Sequence, residues 1–112
     1  MNTQEYTSFI SKNAFYKKRM RIDMFVPYLM LGLCGESGEV SDKIKKEIRS
    51  NGNAHCLGRD ADIGKELGDI LWYLTLLSEE LGFTLEEIMQ MNVNKIKGRL
   101  ERGTIEGKGD NR

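Results

Sequence analysis

Proline, cysteine and histidine are scarce in this 112-residue chain, which contains one proline, two cysteines and one histidine. Two cysteines are too few for a disulfide framework, and a reducing compartment disfavours even one bond. We expect Cys34 near the core side of a helix and Cys56 as a loop thiol. His55 beside Cys56 offers too few ligands for a zinc site, so we expect a plain loop there.

Long apolar runs and a net charge are also missing. No run reaches the 18 or so residues that a membrane-spanning helix requires. The first residues, MNTQEYTSFI, lack the basic and apolar regions of a signal peptide. The 17 acidic and 17 basic residues balance to zero, so no overall field attracts nucleic acid or an anionic membrane. These features predict a cytoplasmic protein with neither nucleic acid nor a membrane as partner.

A helical periodicity without long period-two alternation predicts an all-α protein with one domain over residues 1–112. The expected helices run from about Thr3 toward Lys18, from about Pro27 to Ser50, from about Asp62 to Leu81, and from a capping box at Thr84 to near Arg102. Gly82 suits the left-handed position that ends the third helix. Glycines and charges predict a mobile tail over about residues 103–112.

Inward-facing apolar side chains are expected on the fourth helix at Ile88, Met91 and Ile96. A chain of this length has a modest core for a helical protein with a polar site. The small size therefore favours association into oligomers.

Two acidic pairs on two predicted helices are the most informative feature. Glu36 and Glu39 lie in LGLCGESGEV, and Glu66 and Asp69 lie in KELGDILWYL. At about 100° per residue, both pairs flank the apolar stripe of their helix at the same angles. If the stripes pack as an antiparallel hairpin, the four carboxylates line one seam. Such oxygen ligands favour Mg²⁺, with Mn²⁺ as a substitute.

The alternative is that these residues are solvated helix acids held by lysines one turn away. Lysines stand at that spacing from Glu39 and Asp69, whereas Glu36 and Glu66 have no Lys or Arg three or four residues away. If all four converged within about 6 Å, each like-charge pair would cost about 3 kcal/mol at an effective dielectric near 20. Convergence therefore requires cations between the carboxylates.

Glycines interrupt both of these helices, each at a cost of up to about 1 kcal/mol relative to alanine. They are Gly32, Gly35, Gly38, Gly64 and Gly68. Either another group approaches the backbone closely or the two helices pack tightly, and the sequence leaves both interpretations open.

Three motifs recur in the same order in a known family. They are LGLCGESGEV continuing to residue 46, ELGDILWYL at residues 66–74, and NVNKIKGR at residues 92–99. Together they resemble the MazG-like all-α nucleoside triphosphate pyrophosphohydrolases, with their E-x-x-E…E-x-x-D magnesium pattern and their N-x-x-K-[LI]-x-x-R segment. GKGDNR at residues 107–112 resembles a tail found in some members. The resemblance covers roughly residues 27–112.

The resemblance implies a four-helix bundle-like domain of the all-α NTP pyrophosphatase type. It also implies a homodimer or homotetramer in which neighbouring chains complete the active sites. The expected activity is Mg²⁺-dependent hydrolysis of (deoxy)nucleoside triphosphates to nucleoside monophosphate and pyrophosphate. The expected metal ligands and catalytic residues are Glu36, Glu39, Glu66 and Asp69, one of which also accepts the proton of the attacking water.

Basic residues of the fourth helix are candidates for phosphate binding. Lys95 and Arg99 are one turn apart, so both can face one phosphate chain, with Asn92 a turn earlier on the same face. Without the resemblance, solvated helix-end cations stabilised by the helix dipole are the favoured interpretation. Lys43 lies between the acids of its own helix in angle, and it either contacts phosphate or pairs with Glu39.

Aromatic residues divide into two groups. Tyr73 falls on the acidic edge of its helix and joins the predicted substrate-binding residues, whereas Trp72 points away from the stripe, toward another helix or subunit. Tyr6 and Phe9 are candidates for stacking on a base, although aromatics at helical spacing belong more often to a core.

Two other interpretations remain. A non-catalytic helical module that binds nucleotides or partner helices would carry the same acids as surface charges and would not depend on magnesium. A di-iron carboxylate bundle normally has Glu-x-x-His on two helices, and neither acidic pair here has that histidine.

Overall fold

The computed structural model describes residues 1–112, apart from the side chain of Cys56. Helix accounts for 77% of the chain, and no described residue lies in a strand, as predicted for an all-α fold. The α-helices are α1 (Thr3–Asn13), α2 (Phe25–Asn51), α3 (Ala61–Glu80) and α4 (Leu85–Glu101). Short 3₁₀ turns lie between them at Phe15–Arg19, Ile22–Met24 and His55–Leu57. None of the described helices has the length and hydropathy that a bilayer span requires.

The helix ends follow local signals in the sequence. Thr84 and Glu87 form the predicted capping box, in which the Glu87 amide donates to the Thr84 hydroxyl at 3.2 Å and the Thr84 amide donates to the Glu87 carboxylate at 2.8 Å. Gly82 ends the preceding helix with a φ of +83°, as predicted. Helix α2 begins at Phe25, slightly before the predicted start, and ends at Asn51.

The first helix is shorter than predicted. It ends at Asn13, because Ala14 leaves the helical region with φ −77° and ψ 57°. The chain then forms the turn Phe15–Arg19, in which the Tyr16 hydroxyl accepts a hydrogen bond from the Trp72 indole at 2.7 Å. Trp72, which was predicted to point toward another helix or subunit, thus contacts a 3₁₀ helix of its own chain. A tertiary contact has here replaced the last turn of a locally favourable helix.

Helices α2 and α3 form the main tertiary contact of the chain. Gly32 lies beside Tyr73, and Lys43 lies beside Glu66, so the two helices run antiparallel. The predicted helical hairpin is therefore confirmed. The core lies at the end of the hairpin away from the loop that joins α2 to α3. Its most deeply buried side chains are Phe25, Ile10, Leu29 and Thr75.

Helix α4 is held mainly at its beginning, where Leu85 is buried. Farther along, Ile88 is half-buried, but Met91 is 55% exposed and Ile96 is 39% exposed. The prediction that these two face inward is wrong within this chain, because residues 103–112, which fold against this part of α4, contact Lys95 and Arg99 and leave both apolar side chains exposed. The radius of gyration is 17.2 Å, whereas a compact domain of this length has about 13 Å.

The cysteine predictions have different outcomes. Cys34 is exposed, so its predicted place near the core is wrong, because no described element covers that face of α2. The side chain of Cys56 lies outside the described part of the structure.

Candidate functional site

Carboxylates from α2 and α3 meet on one side of the helical hairpin. One oxygen from each of Glu36, Glu66 and Asp69 lies within 4.8 Å of the other two. The i,i+3 spacing puts two of these acids on one face of α3, and the antiparallel packing brings the third opposite them from α2. The side chains of Glu36 and Glu66 are half-buried, and Asp69 is exposed. We call these three residues the acidic cluster.

Glu39, the fourth predicted acid, does not join the acidic cluster. It lies one turn farther along α2, with an exposed side chain. Its charge nevertheless contributes to raising the pKa of Glu36, so the two carboxylates interact. Its predicted role as a ligand stays a prediction.

The electrostatics of the acidic cluster favour a positive ligand. Burial, followed by the charges of Asp69 and Glu66, raises the pKa of Glu36 above its ordinary value. Burial and the Asp69 carboxylate likewise raise the pKa of Tyr6, which reaches this region from α1. At an effective dielectric near 20, each like-charge pair at this separation costs about 3 kcal/mol before screening by solvent.

A lysine of α2 supplies part of the missing counter-charge. Lys43 lies 3.4 Å from Glu66 across the hairpin, a pairing that neither interpretation of the sequence included. Lys65, which has Asp69 one turn ahead of it, pairs with Asp62 at 3.0 Å instead. Among the described ion pairs, the cluster thus has one lysine for three carboxylates.

Tyr73 packs at the edge of this region against the backbone of α2. A Cβ atom added at Gly32 would overlap its ring. Burial, followed by the neighbouring Tyr28, raises the pKa of Tyr73 to about 12, so its hydroxyl is protonated at neutral pH and can donate a hydrogen bond. Within the described chain, an added Cβ would meet open space at the other predicted glycines, which are Gly35, Gly38, Gly64 and Gly68.

The predicted phosphate-binding residues lie together on α4, against residues 103–112, which we call the tail. Lys95 lies 3.6 Å and Arg99 lies 3.1 Å from the carboxylate of Asp110. Arg99 is buried, so the alternative of a solvated helix-end cation does not apply to it. Among the described ion pairs, none joins Lys95 or Arg99 to the acidic cluster.

A cleft of about 640 Å³ separates α4 from the tail. Asn92 and Lys95 line it from α4, and Asp110 and Asn111 line it from the tail. The last two were missed as site residues. The signal that could have found them is the GKGDNR segment, which was noted as family-like but was given no role. The predicted mobility of the tail is not tested by this arrangement.

Comparison with known proteins places this geometry in a family. The chain is 40% identical over 85 residues to the Gene 37 protein of Mycobacterium phage L5, an alignment that covers 76% of this chain and 75% of that protein. No solved structure matches the chain. Residues 27–103 match the MazG nucleotide pyrophosphohydrolase domain. This match contains both acidic pairs and the basic segment of α4, and the chain therefore belongs to the MazG nucleotide pyrophosphohydrolase family.

Proposed function

We propose that this protein hydrolyses nucleoside or deoxynucleoside triphosphates to nucleoside monophosphate and pyrophosphate, in a reaction that depends on Mg²⁺. The observation that carries the proposal is the acidic cluster, in which Glu36, Glu66 and Asp69 place oxygens within 4.8 Å of one another. Membership of the pyrophosphohydrolase family supports the substrate class. Because such substrates are cytoplasmic metabolites, we propose the cytoplasm as the compartment.

The residues of the acidic cluster fit a magnesium ion. Its donors are carboxylate oxygens, the ligands that Mg²⁺ prefers, and oxygens on one octahedral Mg²⁺ lie up to about 4.2 Å apart. Small side-chain rotations would bring the observed separation into this range. Burial, followed by the charges of Asp69 and Glu66, raises the pKa of Glu36, and a divalent cation would relieve the part that comes from repulsion. Mn²⁺ satisfies the same donor set and would substitute.

The residues that would hold the metal are the three acids of the cluster, with Glu39 as a fourth ligand assigned from the family pattern. The metal would supply charge neutralisation of the phosphate oxygens and a lowered pKa for a coordinated water. One of the four carboxylates accepts the proton of the attacking water. Lys43, which pairs with Glu66, is assigned a second role, a contact with a phosphate oxygen.

Binding of the remaining substrate is assigned to residues outside the acidic cluster. Lys95 and Arg99 bind the phosphate chain through charge-assisted hydrogen bonds. Asn92, which lines the same cleft as Lys95, donates its amide to a phosphate or sugar oxygen. The protonated hydroxyl of Tyr73 offers a hydrogen bond at the edge of the acidic cluster.

We propose that a homodimer or homotetramer completes the site, with acids from one chain and α4 cations from a neighbour. Support comes from the exposed apolar side chains of α4 and of the outer faces of α2 and α3, which a second copy would cover. The most exposed of them on these helices are Leu31, Leu67, Met89, Met91 and Leu100. Light scattering coupled to gel filtration measures the mass directly, and a monomer at every concentration would contradict this part of the proposal.

The activity is tested with a panel of canonical, deoxy and modified nucleoside triphosphates, with Mg²⁺ or with EDTA. Products are resolved as monophosphate plus pyrophosphate or as diphosphate plus phosphate. We expect the first pair, dependent on Mg²⁺ and lost in Glu36→Gln and Glu66→Gln. Glu101→Gln is the matched control, because it removes an exposed carboxylate of α4. Absence of turnover on every triphosphate would favour a nucleotide-binding or partner-binding module.

A further inference from the structure

The tail folds back on the end of α4 as a loop closed by one side chain. The guanidinium of Arg112 donates to the carbonyl oxygens of Thr104 at 3.0 Å and Ile105 at 3.2 Å, and also to that of Gly109. The amide of Thr104 donates to the Arg99 carbonyl at 2.8 Å, which joins the loop to the helix. Because Gly109 has a φ of +79°, the chain turns there in a conformation that favours glycine.

This turn presents the next residue, Asp110, to the two cations of α4. A single carboxylate oxygen, Oδ1, lies 3.1 Å from Nη2 of Arg99 and 3.6 Å from Nζ of Lys95. The same Nη2 also donates to the Gly109 carbonyl at 3.2 Å. An anion of the chain itself therefore lies against both predicted phosphate-binding residues.

The tail satisfies these cations only in part. The Arg99 side chain is 9% exposed, and its Nε is buried without a hydrogen-bond partner. A guanidinium carries five N–H donors and is best matched by a bidentate anion. Asp110 offers one oxygen to two positive charges, and its own side chain is 83% exposed. A group with several charged oxygens, such as a phosphate, would satisfy Arg99 and Lys95 more completely.

We propose that Asp110 is a tethered competitor for the polyphosphate site formed by Lys95 and Arg99. The tail holds its carboxylate in the place of a phosphate group, and a polyphosphate chain binds only when Asp110 withdraws. The assignment of a nucleoside triphosphate as the natural ligand rests on the proposed function. The competition itself follows from the ion pairs.

Because it is tethered, the Asp110 carboxylate competes well with phosphate for Lys95 and Arg99, although the Asp110 side of these ion pairs is exposed. Exposed ion pairs are individually weak, but the tether keeps the local concentration of the carboxylate high. Withdrawal is inexpensive for Asp110, because its side chain is already largely hydrated. The tail therefore lowers the affinity for polyphosphate while it keeps Arg99 from being buried without a counter-charge.

The test measures binding of inorganic tripolyphosphate to the full chain by calorimetry in EDTA, so that neither metal nor turnover contributes. Asp110→Asn keeps the shape of the side chain and removes its charge, and we expect it to bind about 3- to 10-fold more tightly than the wild type. Glu106→Gln is the matched control, since it removes an exposed carboxylate from the same tail, and we expect less than a twofold change. Unchanged or weaker binding by Asp110→Asn would overturn the proposal.

Two further variants locate the effect. In the Asp110→Asn background, Arg99→Gln should abolish the gain, because the gain depends on the released guanidinium. Arg112→Gln opens the loop without touching Asp110 and should tighten binding as well. A gain that persists without Arg99, or a loss of affinity in Arg112→Gln with an unchanged circular dichroism spectrum, would contradict competition by the tail.

Turnover separates this inference from the proposed function. If the protein hydrolyses triphosphates, Asp110→Asn should lower KM and leave kcat unchanged. Hydrolysis with unaltered tripolyphosphate binding in Asp110→Asn would refute the competition and leave the proposed function standing. Tighter tripolyphosphate binding without any hydrolysis would refute the proposed function and leave the competition standing.

Discussion

The two halves of the candidate site are opposite in charge and alike in being incompletely neutralised. In the hairpin of α2 and α3, three carboxylates lie together and only one of them, Glu66, is paired with a lysine, Lys43, among the described ion pairs. At the end of α4, Lys95 and Arg99 share the carboxylate of Asp110. Each region is short of the charge that the other carries in excess. A magnesium ion with a triphosphate would supply both missing charges, which is why the comparison supports one site built from both regions.

The two regions also differ in how they are packed. The hairpin is held by close helix contacts that include Tyr73 lying on Gly32 and a fully buried Leu29. Helix α4 is buried at Leu85 and leaves most of its apolar side chains exposed beyond that point. Contacts within one chain thus fix the positions of the acidic residues, whereas α4, which carries the basic residues, exposes apolar side chains that a neighbouring chain could contact.

The largest effect is expected from truncating the core of the hairpin. Leu29→Ala removes a side chain that is 0% exposed and should lower the free energy of unfolding by about 2–5 kcal/mol. The loss should not depend on protein concentration. Ile96→Ala on α4 should cost little in dilute protein and more as the concentration rises, because in the proposed oligomer a second copy covers that face. Urea unfolding at several protein concentrations measures both losses in free energy of unfolding. If the two losses depended on protein concentration to the same degree, the proposed difference between the hairpin and α4 would be wrong.

The second prediction separates the chemistry of the two halves. Glu66→Gln should lower kcat by about 100-fold or more, since even indirect damage to a metal site costs 10- to 100-fold. Arg99→Gln should instead raise KM by about 10- to 100-fold, because it removes the charge-assisted hydrogen bonds proposed between Arg99 and phosphate. Steady-state kinetics at saturating Mg²⁺ measure the two constants. The same change in kcat for both variants would show that the halves do not have separate roles.

The third prediction uses two glycines of α2 that differ in their surroundings. Gly32→Ala forces a Cβ into the ring of Tyr73, and overpacking of this kind costs about 1–3 kcal/mol. Gly35→Ala meets nothing within 4 Å and should gain up to about 1 kcal/mol from helix propensity. Urea unfolding should therefore rank Gly35→Ala as the more stable variant. The reverse order would mean that the hairpin is looser at Tyr73 than described.

The smallest effect concerns the pH dependence of the acidic cluster. Folding raises the pKa of Glu36 above its ordinary value of 4.5, so the folded protein binds more protons than the unfolded chain in that range. The contribution of Glu36 to stability therefore falls as pH rises above about 4.5. Relative to the wild type in EDTA, Glu36→Gln should gain stability between pH 4.5 and 7, as measured by thermal unfolding.

Magnesium provides the control for that measurement. At pH 7 it should stabilise the wild type by relieving the repulsion within the cluster, and it should stabilise Glu36→Gln less. A wild type that gains nothing from Mg²⁺ would argue against a metal at this place.

Much of the hairpin was predictable because its signals are local. The period of 3.6 residues predicts two amphipathic helices, and the i,i+3 spacing predicts that Glu66 and Asp69 share a face. The capping box at Thr84 and the left-handed Gly82 were predictable for the same reason, since a few neighbouring residues specify each turn. The antiparallel seam then follows from joining two apolar stripes by a short loop.

The differences between the structure and the predictions from the sequence all concern contacts between residues that are distant in sequence. Lys43 could pair with Glu39 or contact phosphate by its spacing, and it pairs with Glu66 because α3 lies opposite. Helix α1 ends early as Tyr16 reaches Trp72. Local sequence patterns do not specify which distant residue a side chain contacts in the folded protein.

By itself, the sequence determined the helical class, the positions of most helix ends and the family. These properties depend on periodicity, capping residues and motifs that can be read along the chain. Only the tertiary structure decided that three acids meet without Glu39, that most apolar side chains of α4 stay exposed, and that Asp110 lies on Lys95 and Arg99. These depend on distances across helices and on burial, which arise only when the elements pack against one another.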